Sequence, residues 1–177
     1  MTEIRTPRLL LRRWTDDDLV PLSEINADPE VMRWIGDGSA LDLEETAEAI
    51  ERWEEEWDDE GFGVFAVELL ASGELIGAVG LSAADDLPET RHQVQITWRL
   101  GRPFWGQGYA SEAAQTVLEF ALQDRGLDRV VAVNRLGNDE SANVIRKLGM
   151  EEDGQASDPR TGDRLSLHSI DLTQYEA

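Results

Sequence analysis

The stretch ITWRLGRPFWGQGYASEAAQTVLEFAL, Ile96 to Leu122, constrains this chain most, because it commits consecutive residues to a strand, a turn and a helix. Ile96, Trp98 and Leu100 alternate as in a strand that buries one face. Pro103 cannot extend a strand ladder, and Gly106 and Gly108 permit a tight turn and the close approach of a ligand. Ala110, Ala113, Ala114, Val117, Leu118 and Ala121 then recur at helical spacing. A turn that opens directly into a helix presents unpaired N–H groups and the positive end of the helix dipole. The small side chains of Ala110, Ala113 and Ala114 let that helix start lie close to a strand and to a ligand. The stretch reads as a pocket for phosphate groups.

Glycines in turns mostly serve backbone geometry, so the surrounding residues must discriminate. No Gly-Lys-Ser/Thr is present, which excludes a P-loop. A dinucleotide fingerprint needs a third glycine where Ser111 stands and an acid closing the next strand, but Asp128 precedes that strand.

The rest of the chain predicts one α/β domain over residues 1–177 with no repeat and no linker. Leu9, Leu11 and Arg13 alternate with Leu10 and Arg12 in a first strand, and Thr15 followed by three aspartates signals a helix start. A short helix carrying Leu19, Leu22 and Ile25 or Asn26 runs to Asp28-Pro29. Val31, Met32, Trp34 and Ile35 are apolar in a loop-like setting, which fits either core or the wall of a pocket. From Asp42 to Asp59, Leu43, Ala47, Ile50, Trp53 and Trp57 predict an amphipathic helix backed by a carboxylate face. No histidine joins those carboxylates, so they read as a solvated face and no metal site is expected. A hairpin follows from Gly63 to Leu70 and Glu74 to Ser82, then a charged loop, then a strand from His92 to Leu100. Arg129 to Asn134 completes a parallel crossover, Asn138 to Leu148 is a helix ended by Gly149, and Glu151 to Gln155 pairs with Leu165 to Leu172.

Net charge is −21, with 37 acids against 16 basic residues, a single lysine (Lys147) among them. Phosphate contacts need a basic face, so a nucleic-acid partner is not expected. The acids are spread along the chain, which favours a surface suited to high salt over attraction of cationic substrates. There is no cysteine, and so no disulfide, thiolate metal site or cysteine nucleophile. No apolar run reaches transmembrane length and the charged N-terminus does not resemble a signal peptide; a cytoplasmic protein with no membrane partner is expected.

WGQGYASEA, after a strand containing Trp98 and Leu100, resembles the acyl-CoA pyrophosphate loop of the GNAT N-acetyltransferase superfamily. TPRLLLRRW looks like its opening strand, ELIGAVGLS like its third strand, and NDESANVIRKLGM like its Asn-x-x-Ser helix. The match spans nearly the whole chain in the family's order. It is most similar to the Rim-type branch of ribosomal-protein N-terminal acetyltransferases, which shares Trp105 at the first loop position. The resemblance implies a mixed, mostly antiparallel central sheet with helices on both faces and a parallel strand pair splayed around the acyl-CoA site. It also implies that the segment between the first two strands shapes the acceptor pocket, which would put Trp34 and its apolar neighbours there.

On that resemblance, acetyl-CoA is the cosubstrate and a primary amine the acceptor. Trp105, Gly106, Gln107, Gly108, Tyr109, Ala110 and Ser111 would hold the pyrophosphate, chiefly through backbone N–H groups. Trp98, Arg99 and Leu100 would pair with the pantetheine arm, and a backbone N–H there would meet the thioester oxygen. Asn138 and Asn143 would face the arm, although Asn138 on its own residues could equally stabilise the turn before its helix. Many members carry a tyrosine proton donor where Ile145 stands; as in the Rim-type branch it is missing, and Ser141 becomes the candidate for bonding the leaving sulfur. A general base is not apparent: the strand offers His92, Gln93, Gln95 and Thr97 but no glutamate, and Glu112 belongs to the loop helix. Three functions remain open, namely N-acetylation of a protein N-terminus, N-acetylation of a small amine, and acyl-CoA sensing without catalysis. Monomer and homodimer are both compatible with the sequence.

Overall fold

Nearly continuous burial from Val64 to Val67 and from Leu75 to Leu81 marks the centre of the sheet, covered on both faces. The computed structural model describes residues 2–174. It forms one sheet of eight strands, β1 (Glu3–Arg5), β2 (Leu9–Arg12), β3 (Val64–Leu69), β4 (Leu75–Ala83), β5 (Val94–Leu100), β6 (Arg129–Arg135), β7 (Glu151–Ser157) and β8 (Arg164–Asp171). Their order across the sheet is β1-β2-β3-β4-β5-β6-β8-β7, and only β5 and β6 run parallel. That pair meets at one position, Gln95 opposite Val131, whereas β4 and β5 stay paired from Ala83–Val94 to Gly77–Leu100. Beyond Gln95 the edge of β5 that faces β6 carries no ladder. The expected splayed pair is present.

Five helices pack on the sheet: α1 (Leu19–Asn26), α2 (Pro29–Met32), α3 (Leu43–Glu60), α4 (Tyr109–Gln123) and α5 (Asp139–Lys147). One core joins α4 and α5 to Ile96, Leu100, Phe65, Val79, Val130 and Ala132. Trp57 caps it in edge-on contact with Phe65, ring centroids 4.7 Å apart. A second cluster, Trp14, Leu22, Val64, Ala66 and Ala78 with Ile50 and Trp53, lies under α1 and α3. The indoles of Trp14 and Trp57 both donate to the Val64 carbonyl at 2.9 Å, which satisfies two polar groups that burial would otherwise orphan.

Asp42 caps α3 through a reciprocal pair with Glu45, and Gly61 ends it at φ 73°. Its buried face departs from the expected stripe mainly at the start: Trp57 is buried and Ile50 and Trp53 pack half-buried as expected, but Thr46 and Ala49 are buried in addition and Leu43 is 51% exposed. Small residues let α3 approach the α1 side, where Asn26 Nδ2 donates to Thr46 Oγ1 at 3.0 Å. The opening strand is shorter than expected. Only Leu9–Arg12 of the expected stretch is strand, as β2; Thr6, Pro7 and Arg8 separate it from the additional strand β1, and Trp14 lies beyond its end. Val31 and Met32 are helical and buried. His92 does not begin β5: it sits in the preceding turn at φ 68°, its N–H donating to Asp85 Oδ1.

Candidate active site

Where β5 and β6 part, the α4 turn, the start of α5 and the segment after α2 enclose an open cavity of about 960 Å³. Trp98, Arg99, Leu100, Trp105, Gly106, Gly108, Tyr109, Ala110, Ser111, Asn138, Ser141 and Asn143 all line it. Of the expected set only Gln107 stands outside the lining. Its side chain donates to the Pro103 carbonyl at 3.1 Å and its own carbonyl accepts from Arg8 at 3.0 Å.

Gly108 occupies the N-cap position of α4 at φ 81°, and no side chain caps the helix. The first-turn N–H groups are therefore free to bind an anion. Gly106, at φ 74°, repeats the left-handed conformation, so both glycines are required by the turn. The loop is tied to the opening of the chain. Glu112 accepts from the Thr6 hydroxyl at 2.6 Å and from Arg8 Nε at 2.8 Å, and the Arg8 guanidinium lies 4.2 Å over the Tyr109 ring. Burial works to raise the Glu112 carboxyl, but the Thr6 and Arg8 hydrogen bonds hold it below its usual range. Glu112 is thus a structural clamp. The Trp105 indole donates to the Leu100 carbonyl at 2.8 Å and closes the end of β5.

Asn138 caps α5, its Oδ1 accepting from the Ser141 N–H at 3.3 Å, so the turn-stabilising role is present. The Ser141 hydroxyl makes no hydrogen bond with any described residue and faces the cavity. Asn143 accepts from Arg146 at 3.1 Å. Of the polar residues weighed as bases, Gln95 and Thr97 line the cavity, and His92 and Gln93 do not.

The wall opposite the loop comes from residues that sequence patterns did not single out for function. Trp34 and Ile35, expected there through the resemblance, are joined by Arg33, Arg52, Trp53, Asn134, Arg135, Asp158 and Arg160. Arg135 braces this wall, bonding the Gly36 carbonyl, Asp158 at 2.6 Å and Asp163 at 2.8 Å. Burial pushes the Asp158 carboxyl up, but the Arg160 N–H and the Arg160 and Arg135 guanidinium groups win and lower it to about 2. Asn134 Oδ1 is buried without a partner.

Residues 8–151 match the Acetyltransferase (GNAT) domain. The chain belongs to the GNAT acetyltransferase family. As a GNAT acetyltransferase it is an N-acetyltransferase whose acyl donor is acetyl-CoA. It is similar to the uncharacterized N-acetyltransferase YnaD of Bacillus subtilis (strain 168), 31% identical over 151 residues, or 85% of this chain and 84% of that protein. The acetyltransferase of Agrobacterium tumefaciens str. C58 is 26% identical, with a TM-score of 0.81 over 96% of this chain and 94% of that one. RimL, a ribosomal L7/L12 alpha-N-protein acetyltransferase solved with coenzyme A, shares the fold alone: 16% identity and a TM-score of 0.80 over 96% of this chain and 98% of that one. The GNAT site here fits its donor. An uncapped helix start offers N–H groups to a pyrophosphate, and the ladder-free edge of β5 offers an extended partner to an amide-bearing arm.

Proposed function

We propose that this chain acetylates a primary amine, the α-amine of a protein N-terminus, by direct attack of that amine on the thioester. The observation that carries the reading is the convergence on one cavity of the uncapped α4 turn, the free edge of β5 and the unbonded Ser141 hydroxyl. Bound acetyl-CoA supplies an acyl carbon already activated as a thioester. The chain's own residues would do the rest. N–H groups of Tyr109, Ala110 and Ser111 would hold the pyrophosphate, and those of β5 between Ile96 and Leu100 would hold the arm and the thioester oxygen. Ser141 would donate to the sulfur as it leaves, with Asn138 fixing the first turn of its helix.

The choice of an α-amine rests on acidity. β5 brings Gln95 and Thr97 to the cavity but no carboxylate; the acids that line it, Glu30, Asp86, Asp139, Glu140 and Asp158, come from other elements. An α-amine, with a pKa near ~8, is partly neutral at pH 7 and can lose its proton through water. The alpha-N-protein acetyltransferase RimL, with which this chain shares its fold, is consistent with that acceptor class.

Calorimetric titration with acetyl-CoA in molar salt, with NAD and ATP as comparators, tests the donor site. N-terminal peptides and small amines are then screened for thiol release and mass gain. Micromolar binding of acetyl-CoA alone and acetylation of peptide α-amines are expected. Folded protein that ignores acetyl-CoA would refute the reading, and turnover confined to small amines would replace the acceptor.

A further inference from the structure

Successive side chains of β5 point to opposite faces. Ile96 and Leu100 enter the core beneath α4, whereas Arg99 lies opposite Ala78, whose methyl group belongs to the cluster under α1 and α3. The main chain at Arg99 is paired with β4, that of its neighbours Trp98 and Leu100 faces the splay, and the Arg99 side chain reaches the wall where an acceptor would enter.

The surroundings of that guanidinium are unusual. Arg99 Nη1 donates to Asn26 Oδ1 at 2.9 Å, a neutral partner, and Asn26 is itself fully buried. Arg99 Nε is buried with no hydrogen bond at all. The guanidinium lies 5.6 Å over the Trp53 ring, and Trp53 stacks on Trp14. Among the described residues no carboxylate lies within ion-pair distance of Arg99, although Arg12, Arg13, Arg102, Arg129, Arg135 and Arg160 all have one. In a chain with 37 acids, a half-buried arginine with its Nε sealed from solvent and no carboxylate partner calls for explanation. Burial, reinforced by the neighbouring Arg52, pulls its pKa down to about 10, the direction expected of a cation lacking its counter-charge. Arg99, Arg52 and Arg33 share the cavity wall with Trp53 and Trp34.

Resting on the acetyl-transfer reading, we infer that Arg99 is an anion subsite that selects an acceptor bearing a carboxylate beside its amine. The carboxylate completes the guanidinium's charge pairing, and Trp53 and Trp34 flank the connecting carbons. Such a carboxylate comes from a free amino acid or from an acidic second residue of a peptide. A free amino acid is a net-neutral zwitterion at a distance, so its capture depends on a short-range contact that is buried and weakly screened by salt.

The test uses acceptors in matched pairs: L-alanine against L-alaninamide, and short peptides with Glu or Gln as second residue. Each is titrated calorimetrically into the CoA-saturated protein in molar salt, and each is assayed for acetylation. The carboxylate member of at least one pair is expected to bind and turn over at least about tenfold better, and the pair that discriminates identifies the source. Arg99→Gln should reduce that preference to within about twofold, and Arg99→Lys should keep part of it. Thermal melts establish that both variants are folded, and a ratio within a pair is insensitive to partial loss of active protein. Equal binding of both members, or a preference that survives Arg99→Gln, overturns the subsite. Failure to bind CoA refutes the acetyl-transfer reading separately; the carboxylate titration is then run without CoA and still reads Arg99.

Discussion

Replacing Gly108 with valine separates backbone strain from ligand contact. The residue sits at φ 81°, where an L side chain is strained, and a Cβ built there would meet only Arg8 Nη2 at 3.5 Å, an ordinary contact. The stability cost is therefore conformational, about 1–3 kcal/mol. For a chain of 177 residues this lowers the melting temperature by roughly 2–10 °C. Gly126 is the internal control. It has φ 64°, no atom within 4 Å of a built Cβ, and a place beyond the far end of α4, outside the cavity. Gly126→Val should cost similar stability and leave acetyl-CoA binding intact. Gly108→Val should also weaken acetyl-CoA at least tenfold, about 1.4 kcal/mol, because its branched side chain stands at the mouth of the N–H cradle. Circular dichroism melts and calorimetric titrations in molar salt measure both quantities. If the two variants bind acetyl-CoA equally well, the α4 turn does not hold the pyrophosphate and the assignment of the loop fails.

Ser141→Ala should lower kcat for thiol release by about tenfold or more while changing the KM for acetyl-CoA less; an unchanged kcat removes Ser141 from proton transfer. Arg135→Met leaves Asp158 buried with one guanidinium partner fewer, and should cost about 3 kcal/mol in a denaturant titration; a loss below about 1 kcal/mol would show that the brace is dispensable. Asp158 is lowered to about 2 from 3.8, so its stabilisation is complete above pH 4 and is lost as pH falls from about 4 towards 2. Asp158→Asn should flatten that acid limb, and an unaltered limb would mean that other groups govern it. With a net charge of −21, the melting temperature should rise from dilute buffer to molar salt; identical melts would rule out self-repulsion as a significant load.

Periodicity in the chain reported what is local. The alternation at Ile96, Trp98 and Leu100, the helical spacing after Gly108 and the Asn138 cap each depend on neighbours in sequence, and each is present. The three-residue strand Glu3–Arg5 has too few positions to show a pattern, and it was not expected. The apolar period of α3 suggested Leu43 as core, but the face is set by what α1 presents, Asn26 reaching Thr46. The acceptor wall was least legible. Arg99 meets Asn26 across 73 positions, Arg135 reaches Gly36 across 99, and Glu112 meets Arg8 across 104. No period or motif encodes such pairings, because they arise only when the sheet order is known. The missing counter-ion of Arg99 is a property of the folded surroundings alone.

The single rung between Gln95 and Val131 gives the sheet a seam. On one side lie β1 to β5, on the other β6, β8 and β7, and within each block every neighbouring pair is laddered over several residues, with one register shift in each. Across the seam the blocks are held by side-chain packing against α4 and α5, by that one pairing, and by side-chain hydrogen bonds from Arg129 to Gln93 and from Arg135 to the Gly36 carbonyl. Small changes in the angle between them therefore break no ladder. Amide exchange should show this directly: without ligand, the β5 amides that face the gap should exchange orders of magnitude faster than those of β4 bonded to β5, though both strands are central. A molecule seated in the gap would suppress that exchange and join the blocks, so that they unfold as one unit. The seam thus makes the cooperativity of the whole sheet depend on occupancy.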